Sequence, residues 1–245
     1  MKKVERLDDI NIVSIIPARG GSKGIPQKNV KLLCGKPLIS YVIEQALESH
    51  LIDRTIVSTD SKEIAEMARR YGAETPFIRP SNLAEDDTLD LPVFKHAIRW
   101  LEENQDYRAD IIIHLRPTSP LVKVKHINEA IKKLIKDKNA DSIRGVCAPS
   151  QNPFKMWKRE GKYIKPLINY SKLKEPYNMP RQLLPDTYWQ NANIDITRYN
   201  TIIKKNSMTG DNILPYIMNK KYSIDLDDML DLKIAEMLLK GESNG

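Results

Sequence analysis

Residues 12–29, IVSIIPARGGSKGIPQKN, constrain the fold more than any other stretch of the 245-residue chain. The run Ile12-Val13-Ser14-Ile15-Ile16 is too short for a helix and rich in β-branched side chains, the pattern of a buried strand. Pro17 ends it, and three glycines, Ser22 and the cations Arg19, Lys23 and Lys28 follow. Glycine lets the backbone turn tightly and present N–H groups inward, and cations neutralise an anion held there. A buried strand running into a basic glycine loop suits a phosphate site at the mouth of a parallel sheet. The spacing is neither G-x-x-x-x-G-K-[ST] nor G-x-G-x-x-G, so the P-loop and the dinucleotide fingerprint are both excluded. The loop reads as a cradle for a nucleoside triphosphate. The competing reading is an ordinary strand-to-helix turn with solvated lysines.

Downstream, apolar runs alternate with helical faces. A helix is expected from Pro37 to Ser49, a strand from Ile52 to Ser58, and a helix over 61–71 capped by Asp60 or Ser61 and stopped by Gly72. A short strand from Thr75 to Ile78, a polar loop over 81–88 and a helix over 90–104 come next. Asp110 to Leu115 is the cleanest buried strand, followed by a helix over 123–137 and a strand from Asp141 to Val146. This alternation predicts an α/β domain with a mainly parallel sheet flanked by helices. Residues 149–190 break the rhythm with six prolines, seven aromatics and many lysines, which suggests a projecting hairpin or arm. Strands are expected again at 192–197, 213–218 and 221–224, with a helix possible at 198–205 and a closing amphipathic helix at 229–240; the last five residues should fray. The domain reading is therefore 1–148 with 191–245 as the α/β body and 149–190 as the arm.

The 41% hydrophobic content suffices for one substantial core. The net charge of +7 raises nucleic acid as a partner. The lysines are spread along the chain and acids are numerous too, so a small anionic substrate fits better and nucleic acid is not expected. Two cysteines, Cys34 and Cys147, make neither a metal spacing nor a disulfide framework. The first ten residues, MKKVERLDDI, lack the apolar core of a signal peptide, and no apolar run reaches membrane-span length. A cytoplasmic protein without membrane contact is the expectation.

Two further stretches can carry chemistry. In Asp225-Leu226-Asp227-Asp228 alternate residues point the same way in extended chain, so Asp225 and Asp227 can converge on Mg²⁺, which binds through one or two carboxylates plus substrate phosphates. The alternative is a helix N-cap. His114-Leu115-Arg116-Pro117-Thr118-Ser119-Pro120-Leu121 follows a buried strand and would share the rim of the glycine loop. Arg116 could meet a phosphate or a carboxylate there, or the stretch could be a plain strand–helix connection. His114 reads as structural.

Together these stretches resemble the acylneuraminate cytidylyltransferase family. The residues that carry the resemblance are IIPARGGSKGIPQKN (15–29), IVSTDS (56–61), FIRPSNLAEDD (77–87), LRPTSPL (115–121), PRQLLP (180–185) and SIDLDDMLDL (223–232). The match is collinear over nearly the whole chain. It implies a nucleotide-diphospho-sugar transferase-like fold and a homodimer in which a small projecting subdomain reaches the partner. It also implies a reaction in which the anomeric hydroxyl of a sugar acid attacks the α-phosphate of CTP, with Mg²⁺ present. Carried over, Arg19, Ser22, Lys23, Lys28, Asn29 and Arg79 would hold the nucleotide, with Arg19 and Lys23 also catalytic. Asp225 and Asp227 would bind Mg²⁺ and share in catalysis. Arg116, Lys155, Arg181, Asn191 and Asp195 would meet the sugar acid. The sequence departs from the sialate-activating pattern at Arg116 (usually Gln), Val122 (usually Arg), Asp90 (often Ser) and Asn191-Ala192-Asn193-Ile194-Asp195 (usually N-G-A-I-Y). The expected acceptor is therefore a nonulosonic acid of sialic or legionaminic type, with Kdo, a phosphonate, or GTP in place of CTP as alternatives.

Overall fold

The computed structural model describes residues 10–243. The readings made on residues 1–9 and 244–245 lie outside them. The chain runs through β1 (Ile12–Pro17), a short hairpin of β2 (Leu32–Leu33) and β3 (Lys36–Pro37), α1 (Leu38–Glu48), β4 (Arg54–Ser58), α2 (Lys62–Arg70), α3 (Asp90–Gln105) and β5 (Ile111–Leu115). It continues with α4 (Val124–Lys136), β6 (Ser142–Cys147), β7 (Trp157–Glu160), β8 (Tyr163–Pro166), β9 (Trp189–Arg198), α5 (Tyr199–Ile203), β10 (Ile213–Ile217) and α6 (Met229–Ser243). Six strands form one sheet in the order β10-β6-β9-β5-β1-β4. Only β9 runs antiparallel to its neighbours, so the sheet is mainly parallel, as expected.

Alternation within the strands sends side chains to two cores. Ile12 and Ile16 of β1 pack with α1, α2 and α4 on one face, while Val13 and Ile15 pack with α3 and α5 on the other. Both faces are covered, which is why β1 and β5 read as continuous apolar runs. A smaller third cluster seats Leu226 with Leu33, Leu38, Leu232 and Ala235. It fixes the acidic stretch onto the base of α1 and the inner side of α6.

Two expected strands need correction. Thr75–Ile78 is not a strand: Glu74 makes a single parallel bridge with Ile56, and Pro76, which has no N–H, cannot extend the ladder. Residues 221–224 are not a strand either. Lys220–Tyr222 forms a 3-10 turn, with the Asn219 side chain accepting from Lys221 N and Ser223 Oγ donating to Asn219 O. Local side-chain bonds outcompete a ladder there. The closing helix begins where expected and continues to Ser243. Pro17 is the last strand residue rather than the first beyond it, and α5 is shorter than the stretch considered. Ser61 is the cap of α2, accepting from Ile64 N. In the stretch from 149 to 190, β7 and β8 pair antiparallel as a separate hairpin whose eight residues are nearly all exposed, among short 3-10 turns.

Candidate active site

The C-terminal ends of β1, β4 and β5 open on one rim, and three loops meet there. The glycine loop is held by backbone and side chain. Gly20 N donates to Asp60 Oδ1 at 2.9 Å, Ala18 N to Ser58 O at 2.9 Å, and buried Asn29 donates from Nδ2 to Arg19 O at 2.9 Å. The acidic loop is stitched to both neighbours. Lys28 Nζ donates to Leu226 O at 2.6 Å and lies 3.7 Å from Asp227 Oδ1, while Leu226 N donates to Thr118 O at 2.9 Å. Gly24 explains how close the loops come: a Cβ there would stand 2.5 Å from Asp227 O. No other residue fits without moving the backbone.

Two adjoining cavities result, sharing Pro17 and Arg19. One, of about 290 Å³, is lined by Ser22, Lys23, Lys28, Asn29 and Asp227 besides the shared residues and Gly24. Three cations and a loop of backbone N–H groups suit a polyphosphate there. The other, of about 310 Å³, is walled by Pro17, Leu83 and Val93 and carries Arg79, Asp90, His114 and Arg116. Arg79 is only 4% exposed, its Nε has no partner and its nearest carboxylate, Asp60, is 4.0 Å away. Burial lowers its pKa. A buried guanidinium so poorly paired is set to receive an acceptor from a ligand.

Asp225 and Asp227 flank buried Leu226, as alternation required. Asp227 is exposed, and Asp225 is half-buried with Oδ1 unpartnered. Burial, with a smaller push from Asp227, raises the Asp225 pKa against a hydrogen bond from Thr118. Among the described residues no group of three or more His, Cys, Asp or Glu forms a ready metal cage. Two carboxylates, one with an orphaned oxygen, fit an ion that takes its remaining ligands from phosphates and water.

The remaining expected residues fall elsewhere. Asn191 is fully buried beneath the acidic loop, donating to Ser223 Oγ at 2.9 Å and Met218 Sδ at 3.2 Å. Gly145 makes room for it, since a Cβ there would meet Asn191 Oδ1 at 2.8 Å. Asp195 is buried on β9, and its Oδ2 accepts from Arg116 Nη1 at 2.9 Å and Arg144 Nη1 at 3.3 Å. Lys155 and Arg181 are exposed in the 149–190 stretch and line neither cavity; Arg181 donates to Pro149 O. Sequence reasoning missed Asp60, Asp86, Thr118 and Arg144. Asp60 had a signal, since it follows β4 in the stretch IVSTDS on the same rim. Asp86, which pairs with Arg19 at 2.7 Å and with Lys23, had none in the polar loop around it.

The family described as Cytidylyltransferase matches residues 13–209. The chain belongs to that family. Among curated relatives, "Post-translational flagellin modification protein B" of Campylobacter coli is 34% identical over 230 residues, 94% of this chain and 95% of that protein. The CMP-N,N'-diacetyllegionaminic acid synthase of Legionella pneumophila is 34% identical over 236 residues, 94% of this chain and 97% of that one. A solved CMP:2-keto-3-deoxy-manno-octonic acid synthetase complexed with CTP superposes with a TM-score of 0.69 at 18% identity, covering 95% and 99% of the two chains. The last likeness concerns the fold. For this cytidylyltransferase the resemblance read from the motifs and the α/β architecture are both borne out.

Proposed function

We propose that the chain transfers a cytidylyl group from CTP to a nonulosonic acid of the legionaminic or sialic type, with Mg²⁺ bound at Asp225 and Asp227. The observation that carries this reading is the convergence of the basic glycine loop, the acidic loop and the Thr118 loop on two adjoining cavities. The names of full-length relatives that make CMP-sugar acids support the acceptor class. The acceptor's anomeric hydroxyl forms a bond to the α-phosphorus, the bond to the β-phosphate oxygen breaks, and pyrophosphate leaves. Such transfer needs positioning and charge neutralisation more than covalent help. Arg19, Lys23 and Lys28 hold the phosphates, with Ser22 and the loop N–H groups supplying neutral donors. A bound Mg²⁺ would screen the phosphates from one another and from the Asp225–Asp227 pair. Buried Asn191 supports the acidic loop from below through Ser223. Arg79 serves the nucleoside, and Asn29 shapes the loop that carries Arg19. Lys155 and Arg181, outside both cavities, meet the acceptor in the partner subunit of a homodimer that acts in the cytoplasm.

The test is pyrophosphate release from CTP and Mg²⁺ across a panel of legionaminic, pseudaminic, N-acetylneuraminic and Kdo acids. Release is expected with at least one nonulosonic acid, and Asp225→Asn should lower it by about 10²–10³-fold. Absence of release with every acceptor would overturn the reading.

A further inference from the structure

β9 does not run straight past the site. Ala192 takes a left-handed φ of +57°, the region that favours glycine, and the β6–β9 register slips beside it, between Arg144 and Val146. A slip with one residue held in this way is a bulge, and a bulge re-aims the side chains on either side of it. Asn193 N donates to Asn191 Oδ1 at 3.2 Å across the turn. Gly145 of β6 leaves room for this course, since a Cβ there would stand 2.9 Å from Ile194 O as well as 2.8 Å from Asn191 Oδ1. A strained alanine at the rim of a site points to a task for the strain.

That task is visible in the bonds around Asp225, where three segments are joined pairwise. Ala192 O, on the bulge, accepts from Arg116 Nη1 at 2.9 Å and from Ser119 Oγ at 3.4 Å. Thr118, between those two residues, accepts at its carbonyl from Leu226 N at 2.9 Å, and its side chain hydrogen-bonds the Asp225 carboxylate. The acidic stretch returns to the bulge: Tyr222 O accepts from Asn193 Nδ2, and Ser223 Oγ accepts from Asn191 Nδ2 at 2.9 Å. The ring is therefore closed. Asn193 is fully buried, so removing its amide leaves the Tyr222 carbonyl without that donor. Asp225 lies three residues beyond Tyr222 and keeps a buried, unpartnered Oδ1. A carboxylate that must present one oxygen to a hard ion depends on the groups that orient it. In the N-G-A-I-Y pattern alanine stands at the place of Asn193, so this link belongs to the present chain.

We propose that Asn193 is a positioning residue for the divalent-cation site, fixing Asp225 through the carbonyl of Tyr222, with the Ala192 bulge presenting it. This rests on the cytidylyl-transfer reading. The experiment measures Mn²⁺ binding by electron paramagnetic resonance, with the protein saturated in CTP and no acceptor, against a CTP-only blank. The wild type is compared with Asn193→Ala, Asn193→Ser and Ala192→Gly, and thermal unfolding is recorded for each. Asn193→Ala weakens Mn²⁺ binding by about 10–100-fold, the usual effect of removing a group that orients a metal ligand. Saturating Mg²⁺ restores most of its kcat for pyrophosphate release, which a folding defect would not allow. Asn193→Ser, whose shorter side chain keeps a donor, falls between it and the wild type. Ala192→Gly keeps the wild-type affinity, because glycine adopts the same backbone freely. An Asn193→Ala that melts lower yet binds Mn²⁺ as the wild type does makes the contact structural and overturns this inference alone. Where truncation prevents folding, wild-type Mn²⁺ binding by Asn193→Ser overturns it equally. So does a wild type that releases pyrophosphate without binding Mn²⁺ beyond the blank. A wild type that neither binds Mn²⁺ nor releases pyrophosphate from CTP overturns the transfer reading together with this one.

Discussion

Arg19 and Lys23 are two of the three cations that line the smaller cavity, and one carboxylate, Asp86, engages both. The two cations hold the Asp86 carboxyl below the usual carboxylate range. Exposed ion pairs of this kind are weak, so a polyphosphate carrying several charges displaces Asp86 readily. Under the proposed function Asp86 would compete with the triphosphate. Asp86→Asn should lower the KM for CTP about two- to five-fold with kcat little changed, measured by steady-state pyrophosphate release. A raised KM would instead make Asp86 a residue that orients Arg19 and Lys23 for binding. Nothing in SNLAEDD announces this role. Its neighbours Glu85 and Asp87 have the same chemistry, and only the course of the loop selects the middle acid.

At the scale of elements, most of the scaffold was legible because its signals are local. β1 and β5 are runs buried on both faces, α1 to α4 show apolar stripes, and Ser61 is a cap three residues before the N–H it accepts. The two misread strands failed for local reasons as well, a proline at 76 and an Asn219 turn before Tyr222. The edge strand β10 depends on one acid at the far end of the sheet. Asp141 Oδ2 accepts from Asp211 N at 2.9 Å, Asn212 N at 3.1 Å and Lys205 Nζ at 2.8 Å, and these bonds pull its pKa down to about 2. A pKa lowered in the folded state stabilises at pH above the unfolded value, 3.8, and the gain is lost as pH falls through about 2. Urea midpoints should therefore show Asp141→Asn less stable than the wild type at neutral pH. The gap should close between those two values. A gap that persists at the acid end would mean that the carboxylate's charge contributes nothing.

For the whole molecule, the stretch from 149 to 190 leaves the most apolar surface to account for. Trp157, Tyr163, Ile164 and Leu167 are 44–66% exposed on or beside the β7–β8 hairpin, although a two-stranded hairpin has little stability of its own. A partner subunit covering these side chains, as the proposed dimer requires, would supply the missing burial and bring Lys155 and Arg181 to an acceptor. Sedimentation at micromolar concentration should give a dimer for the wild type. Ile164→Glu should give a monomer with unchanged far-ultraviolet circular dichroism and reduced acceptor affinity. A wild-type monomer, or a variant that stays dimeric, would count against the arm as the interface.

The order of strands and helices, the class of fold and the class of reaction were all written in local patterns. Periodicity, a glycine loop and an acid pair survive in any context, because each depends on residues within a few positions of one another. What those loops build between them was decided by the tertiary structure. Lys28 reaches the carbonyl of Leu226 across 198 residues, Arg116 is aimed by Asp195 across 79, and Arg19 is occupied by Asp86 across 67. Sequence neighbours carry no record of such distances, since the spacing between partners is set by the sheet order β9-β5-β1 and not by the chain. The opening glycine loop is suited to a phosphate by its composition alone. The packing of Gly24 on the acidic loop and of Arg116 against Asp195 sets the shape of the two cavities beside that loop.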